Sequence, residues 1–141
     1  NIRVLTASNI SLRTGLIEFN EKMIHLRNDY QFDQTLEIKK HDLIMAMSSG
    51  SLKHLGKLCI SLENYPNLLI GGFLNILRSE NDALAYAVYF RFMSKLFREF
   101  VFSKKGQNIN NLNMNEIKQI KIKLPSYLVE FKKRAIKEIK K

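Results

Sequence analysis

Lys104-Lys105-Gly106-Gln107-Asn108-Ile109-Asn110-Asn111-Leu112-Asn113-Met114-Asn115-Glu116-Ile117-Lys118-Gln119-Ile120-Lys121-Ile122-Lys123-Leu124-Pro125 is the most patterned run of the chain. A basic pair and a glycine open it. Amide side chains follow, interrupted by Ile109 and Leu112. Met114–Lys118 suits one short turn of helix. Ile120, Ile122 and Leu124 then alternate with Lys121 and Lys123, the period-2 pattern of a half-buried strand. Pro125 stops that strand and opens a charged helix over 126–141, where Leu128, Phe131, Ala135 and Ile139 form a heptad-like seam.

Working back from this stretch, Tyr86, Tyr89, Phe90, Met93, Leu96, Phe97, Phe100 and Val101 recur at helical spacing between Asp82 and Ser103. Arg91, Lys95 and Arg98 take the other face. The aromatic stripe reads as core that covers a sheet, and Ser94 is placed to cap a second helix. Upstream, Asp42–Met47 is a buried strand by length and apolarity, and Leu58–Leu62 is its return. The loop between them carries Ser49, Gly50, Ser51, Lys53, His54, Gly56 and Lys57. Such a loop can offer backbone N–H groups, hydroxyls and lysines to phosphate, although a plain surface hairpin would look similar. Leu68–Ile70 and Phe73–Arg78 are apolar runs separated by Gly71-Gly72, a bulge or a close backbone approach. At the start, Ile2–Thr6 reads as a strand, Asn9 as a capping or left-handed residue, Leu16–Phe19 as a short strand or hairpin, and Met23–Leu26 as a second alternating run.

In 141 residues there is room for one domain with a core, and 45% hydrophobic with 26% charged residues is ordinary for a soluble globular chain. Both ends read as cut from something longer. No apolar run approaches the ~20 residues of a membrane span. A lone Cys59 cannot form an internal disulfide, which makes the cytoplasm the expected compartment. Charge says more. Twenty-three Lys/Arg stand against 13 Asp/Glu, a net of +10, and residues 103–141 hold eleven of the basic residues against three acids, a net of +8. A polyanion is the expected partner, because cations that neutralise phosphates release condensed counterions.

The order of a glycine-glutamine-asparagine loop, a Leu112-Asn113 step, a short helix, an Ile-x-Ile-x-Leu-Pro strand and a long helix resembles the target recognition domain of the DNA-specificity subunit of type I restriction-modification enzymes. It equally resembles the related domain of fused restriction-methylation proteins. Asp42 leading an apolar strand, then Ser49-Gly50 and Gly56-Lys57, is similar to the family's pattern, and so is the segment through Arg78. The family's Pro-Pro-Leu-x-Glu-Gln is replaced here by Pro125-Ser126-Tyr127-Leu128-Val129-Glu130-Phe131. The resemblance implies an α+β fold with a curved, mostly antiparallel or mixed sheet packed by helices. Residues 1–124 would be the recognition domain, incomplete at its N-terminus, and 125–141 the start of a spacer helix that leaves the domain and pairs with that of a second recognition domain. It further implies sequence-specific recognition of double-stranded DNA, with a DNA methyltransferase (modification) subunit and a restriction subunit as partners. S-adenosylmethionine and ATP would belong to those partners, so this chain needs no cofactor.

Nothing in the residues points to catalysis. A methyltransferase needs a glycine-rich cofactor loop and an Asn/Asp-Pro-Pro-Tyr/Phe motif, yet the prolines are Pro66 and Pro125, each alone. His25, His41, His54 and Cys59 have no zinc spacing. Glu-x-Lys at Glu37–Lys39 has only Asp29 or Asp33 upstream to share a metal, weak support for a nuclease. The expected division of labour gives Lys53, Lys57, Lys104 and Lys105 to phosphates, with Ser49, Ser51 and His54 beside them. Gln107, Asn108, Asn110 and Asn111 are of the type that pairs bidentately with adenine, though the last two also suit capping of the Met114 helix. The basic tail and the two glycine-containing loops are expected to converge on one cationic surface. Two alternatives stand beside this: the DNA-recognition part of a single-chain restriction-methylation enzyme, or a protein-interaction module using the aromatic helix.

Overall fold

The computed structural model describes residues 1–104 and 111–141. Among them lie the strands β1 (Ile2–Leu5), β2 (Ile24–Leu26), β3 (Leu43–Ala46), β4 (Leu58–Ile60), β5 (Leu68–Ile70) and β6 (Leu74–Leu77). The helices are α1 (Asp82–Phe92), α2 (Lys95–Phe102), α3 (Met114–Lys118) and α4 (Leu128–Ile139). The class is α+β, as expected, but the strands divide into two three-stranded sheets instead of one curved sheet. In the first, β1 lies between antiparallel β2 and parallel β5. In the second, β3 lies between β4 and β6, both antiparallel.

Gly71-Gly72 makes the division. The amide of Gly71 donates to Leu5 O at 2.8 Å, extending the first sheet, and β6 begins three residues later in the second. A side chain at Gly71 would put its Cβ 3.0 Å from that same carbonyl. The close approach expected of the glycine pair is therefore the point where the chain changes sheets.

All four residues of β3 are buried, because both faces of its sheet are covered. Ile44 and Ala46 face the first sheet with Leu5, Leu68 and Leu74. Leu43 and Met45 face the helices with Tyr86, Tyr89, Phe97 and Val101. The layers run sheet, sheet, helices. Ser94 caps α2 as its sequence position suggests, accepting from Phe97 N at 3.4 Å while its hydroxyl donates to Arg91 O at 2.6 Å. The break changes the phase of the aromatic stripe. Phe92 turns inward and stacks on Phe97 with centroids 4.5 Å apart, whereas Phe90, Met93 and Leu96 are left exposed.

Two expectations fail. Ile120–Leu124 forms no strand and belongs to neither sheet. Ile120 packs on the core, but Leu124 is exposed as Lys121 and Lys123 are, so the alternation marks neither a ladder nor a continuous buried side. The second concerns α4, which does not leave the domain. It lies along α1, with Ala135 buried, Phe131 edge-on to Phe90 at 6.3 Å, and Lys132 Nζ 2.6 Å from Asp82 Oδ2. Among the described residues no helix is long and apolar enough to cross a membrane.

Asp42, 1% exposed, leads β3. Its two carboxylate oxygens accept from Arg78 Nε and Nη2, each at 2.7 Å, and one also accepts from Lys39 N at 2.7 Å. The carboxylate holds the Arg78 guanidinium above its usual pKa. Arg78 also donates to Glu37 O at 2.9 Å, tying the end of β6 to the approach to β3. Removing the buried carboxylate takes the acceptor from Lys39 N, while Arg78, about a third exposed, can turn to water. Asp42→Ala is therefore expected to lower unfolding stability by about 2 kcal/mol, read from urea melts; a loss within error of zero would mean the pair is not holding the sheet edge.

Candidate nucleic-acid interface

β3 ends at Ala46, and its backbone still needs partners. Ala46 is satisfied on the β4 side, donating to Lys57 O and accepting from Gly56 N, both at 2.8 Å. Met47 turns to the other side. Its N–H donates to Phe73 O at 3.0 Å, and its carbonyl accepts from Leu112 N at 2.7 Å. Ser48 then bridges Asn111 in antiparallel fashion. Three segments distant in sequence meet here: the Ser48–Lys57 loop, the Gly72-Phe73 turn, and the residues that follow 105–110.

The loop is held in one shape. His54 N and Leu55 N both donate to Ser51 O, at 3.0 and 3.1 Å, and the Leu55 side chain is fully buried. Gly56 has φ +68°, and a Cβ there would lie 3.0 Å from Val101, 3.2 Å from Phe97 and 3.3 Å from Leu112. From α2, Arg98 donates to Leu55 O at 2.7 Å and Leu52 O at 3.0 Å, and its guanidinium stands 5.1 Å from the Phe102 ring centroid. Burial pulls the Arg98 pKa below its usual value; a guanidinium remains charged nonetheless. No carboxylate pairs with it among the described residues, so a positive charge sits directly beneath the loop.

The residues singled out from sequence are distributed unevenly. Ser51 and Lys53 are exposed, and Ser49 and His54 are half-buried beside them, with Ser49 Oγ accepting from Ser51 N at 3.2 Å. Lys57 does not join them. It is buried, and its ammonium donates to Ala7 O at 2.9 Å on the first-sheet side, where burial pushes its pKa down. Lys104 is also committed: Nζ lies 2.6 Å from Glu116 Oε1 and 4.9 Å from the Phe100 ring centroid. It fastens the end of α2 to α3 instead of reaching outward. Lys105, Gln107, Asn108 and Asn110 lie outside the described residues. Asn111 is exposed next to Ser48, and it is Asn113 that caps α3.

The rest of the basic tail does not gather at this junction. Lys118 lines a hollow with Leu43, Leu77 and Arg78, at the end of β3 remote from the loop. Lys132 pairs with Asp82, Arg134 with Glu130, and Lys141 with Glu138 beside Arg13. Among the described residues, Lys104, Lys118, Lys132, Arg134 and Lys141 of the +8 segment are thus engaged with neighbours other than the loop.

No protein-family model matches the chain, and no curated protein does. The link to restriction-modification specificity domains therefore rests on motif order.

Sequence reading passed over Arg98, assigning it to the solvent face of its helix. One available signal was Phe102 four residues on, since an arginine and an aromatic at that spacing share a helix face. Arg98→Met would leave the Leu52 and Leu55 carbonyls without their donor. The expected result is a loss of about 2 kcal/mol and faster amide hydrogen exchange confined to 48–57. Exchange in the loop that stays as slow as in the wild type would show that something else restrains it.

Proposed function

We propose that this chain is a sequence-specific recognition domain for double-stranded DNA that directs separate modification and restriction subunits to a target site. The observation that carries this reading is the junction at Met47: a serine- and lysine-bearing loop held by its own turn hydrogen bonds, underlain by the Arg98 guanidinium, which meets no carboxylate among the described residues, and bonded through Met47 and Ser48 to Leu112 and Asn111. A fixed loop loses little entropy on binding. Serine hydroxyls and exposed backbone amides near Gly50 suit phosphate oxygens, and Lys53 adds an exposed charge. Amide side chains in the adjoining segment are the type that reads adenine in the major groove. The chemistry on DNA would be done by a methyltransferase partner carrying S-adenosylmethionine, and by a restriction partner using ATP. A second recognition domain would approach through the C-terminal helix.

For the interaction-module alternative, Tyr86, Tyr89, Phe97 and Val101 of the aromatic helices are buried in the core, which leaves Phe90, Met93, Leu96 and Phe102 as its exposed surface.

The reading is tested by titrating the full chain with random-sequence duplex over a range of salt concentrations. Lys53→Ala is expected to weaken binding to all sequences and to reduce the slope of log affinity against log salt by about one. Lys57→Met, which alters an inward-facing ammonium, should leave the slope unchanged. Equal slopes for wild type and Lys53→Ala would remove Lys53 from the phosphate contacts, and absence of wild-type binding at low salt would sink the reading.

A further inference from the structure

The turn that feeds β3 holds a histidine at a backbone angle that favours glycine. Asp42 N donates to Lys39 O at 3.1 Å, and between them His41 sits at φ +70°. The His41 amide donates to Ser61 O at 2.8 Å, which ties the turn to the residue after β4. Its side chain is 11% exposed and stands edge-on to the Tyr86 ring, with centroids 5.5 Å apart. Nδ1 lies 2.9 Å from Asp82 Oδ1, and the other oxygen of that carboxylate takes the Lys132 ammonium at 2.6 Å. One carboxylate in the first turn of α1 thus joins the approach to β3 with α4.

The partners fix where the imidazole proton resides. An ionised carboxylate only accepts, so Nδ1 carries the proton and Nε2 is a bare lone pair. Nε2 is buried and meets no hydrogen-bond partner among the described residues. A neutral ring tolerates this, but an imidazolium must donate from both nitrogens, and a buried donor without an acceptor is costly. The charged groups around the ring do not relieve that cost. Lys132 already neutralises Asp82, and Asp42 in the same turn is committed to Arg78 and Lys39 N. Burial, then the Asp82 charge, pushes the Tyr86 phenol up, so it stays neutral. The bond from Lys132, then that from His41, holds the Asp82 carboxyl below its usual range. Asp82 therefore remains ionised throughout the interval, about pH 5 to 8, in which histidine ordinarily changes charge.

We propose that His41 is a proton-sensitive latch: while neutral it fixes Asp82 for Lys132 and so holds α4 on α1, and protonation at Nε2 drives the ring off Asp82 and loosens α4. Burial of Ala135 and Phe131 persists, so the change is in how often α4 opens locally, with the fold retained. Each opening frees the seam of Phe131, Ala135 and Ile139 for a partner helix. The latch acts whether or not the loops bind DNA.

The experiment follows amide hydrogen exchange of the full chain at about pH 7.5 and about pH 5.5, on either side of the ordinary histidine midpoint. Rates are corrected for the intrinsic pH dependence of exchange, and nitrogen chemical shifts report the tautomer of each histidine ring. The shifts at the higher pH are expected to show the Nδ1–H tautomer at His41. Opening of α4 relative to β3 is expected to rise about fivefold at the lower pH. His41→Asn puts an amide donor near the Nδ1 position, suits a positive φ and does not titrate, so its α4 should open equally at both pH values. An Nε2–H tautomer at His41, or wild-type α4 opening that is unchanged or slower at the lower pH, overturns the latch; these two readouts decide even where the variant does not fold. Acid-induced opening that persists in a folded His41→Asn assigns the effect to another group and also overturns it.

Discussion

A strand with no exposed face cannot leave backbone groups unpaired, and β3 is such a strand. Within Leu43–Ala46 the demand is met by β4 on one edge and β6 on the other. Past Ala46 the ladder would end in buried surroundings, since Met47 is only 8% exposed. The chain answers by bringing Phe73 O and Leu112 N to the two polar groups of Met47. The meeting of the three candidate binding segments is thus a consequence of completing the core strand. It needs no attraction between the segments themselves.

Two arginines finish the arrangement by different chemistry. Arg78 meets a buried carboxylate, and the pair neutralises itself at the start of β3. Arg98 meets two carbonyls at the loop beyond the other end, which satisfies its donors without cancelling its charge. The two ends of one short strand therefore differ electrostatically: one is closed by an ion pair, the other is left positive under an exposed serine-lysine loop. An anion near the loop would feel the Arg98 field through protein, where screening is weaker than in water.

How much of this could be read in advance follows from the range over which each pattern acts. The β3 strand, the Ser94 break and the Met114 helix depend on neighbours within a few residues, and each is found as the sequence suggests. The α+β class was equally legible, because strands and helices are both written as local periodicities. What local pattern cannot encode is the partner across the fold. Lys53 and Lys57 sit four residues apart in one polar loop, yet only the path of Gly56 against Val101 and Leu112 sends the second inward. Arg98 looks like any helix-surface arginine until the loop arrives over it. Ile120–Leu124 has a strand's alternation but no strand beside it. The split into two sheets likewise depends on Gly71 meeting Leu5, 66 residues earlier, and no local signal carries that distance.

The C-terminal helix shows what such a placement does to function. Its seam of Phe131, Ala135 and Ile139 is the surface on which a partner helix would lie, and α1 together with the core already occupies it. What faces outward is Lys133, Arg134, Lys137 and Lys140 together with Glu130 and Glu138, all exposed, with Val129 and Tyr127 uncovered near the start. A second domain meeting this helix over the described residues would have to approach that outward face or pull the seam away from α1. Pulling it away would cost the burial of Ala135 and Phe131 and break the Lys132–Asp82 pair. Approach to the outward face would meet mixed charge, since Arg134 is paired with Glu130 and Lys141 with Glu138 beside Lys133, Lys137 and Lys140. Among the described residues, an incoming helix would find apolar surface on this face only at Tyr127 and Val129.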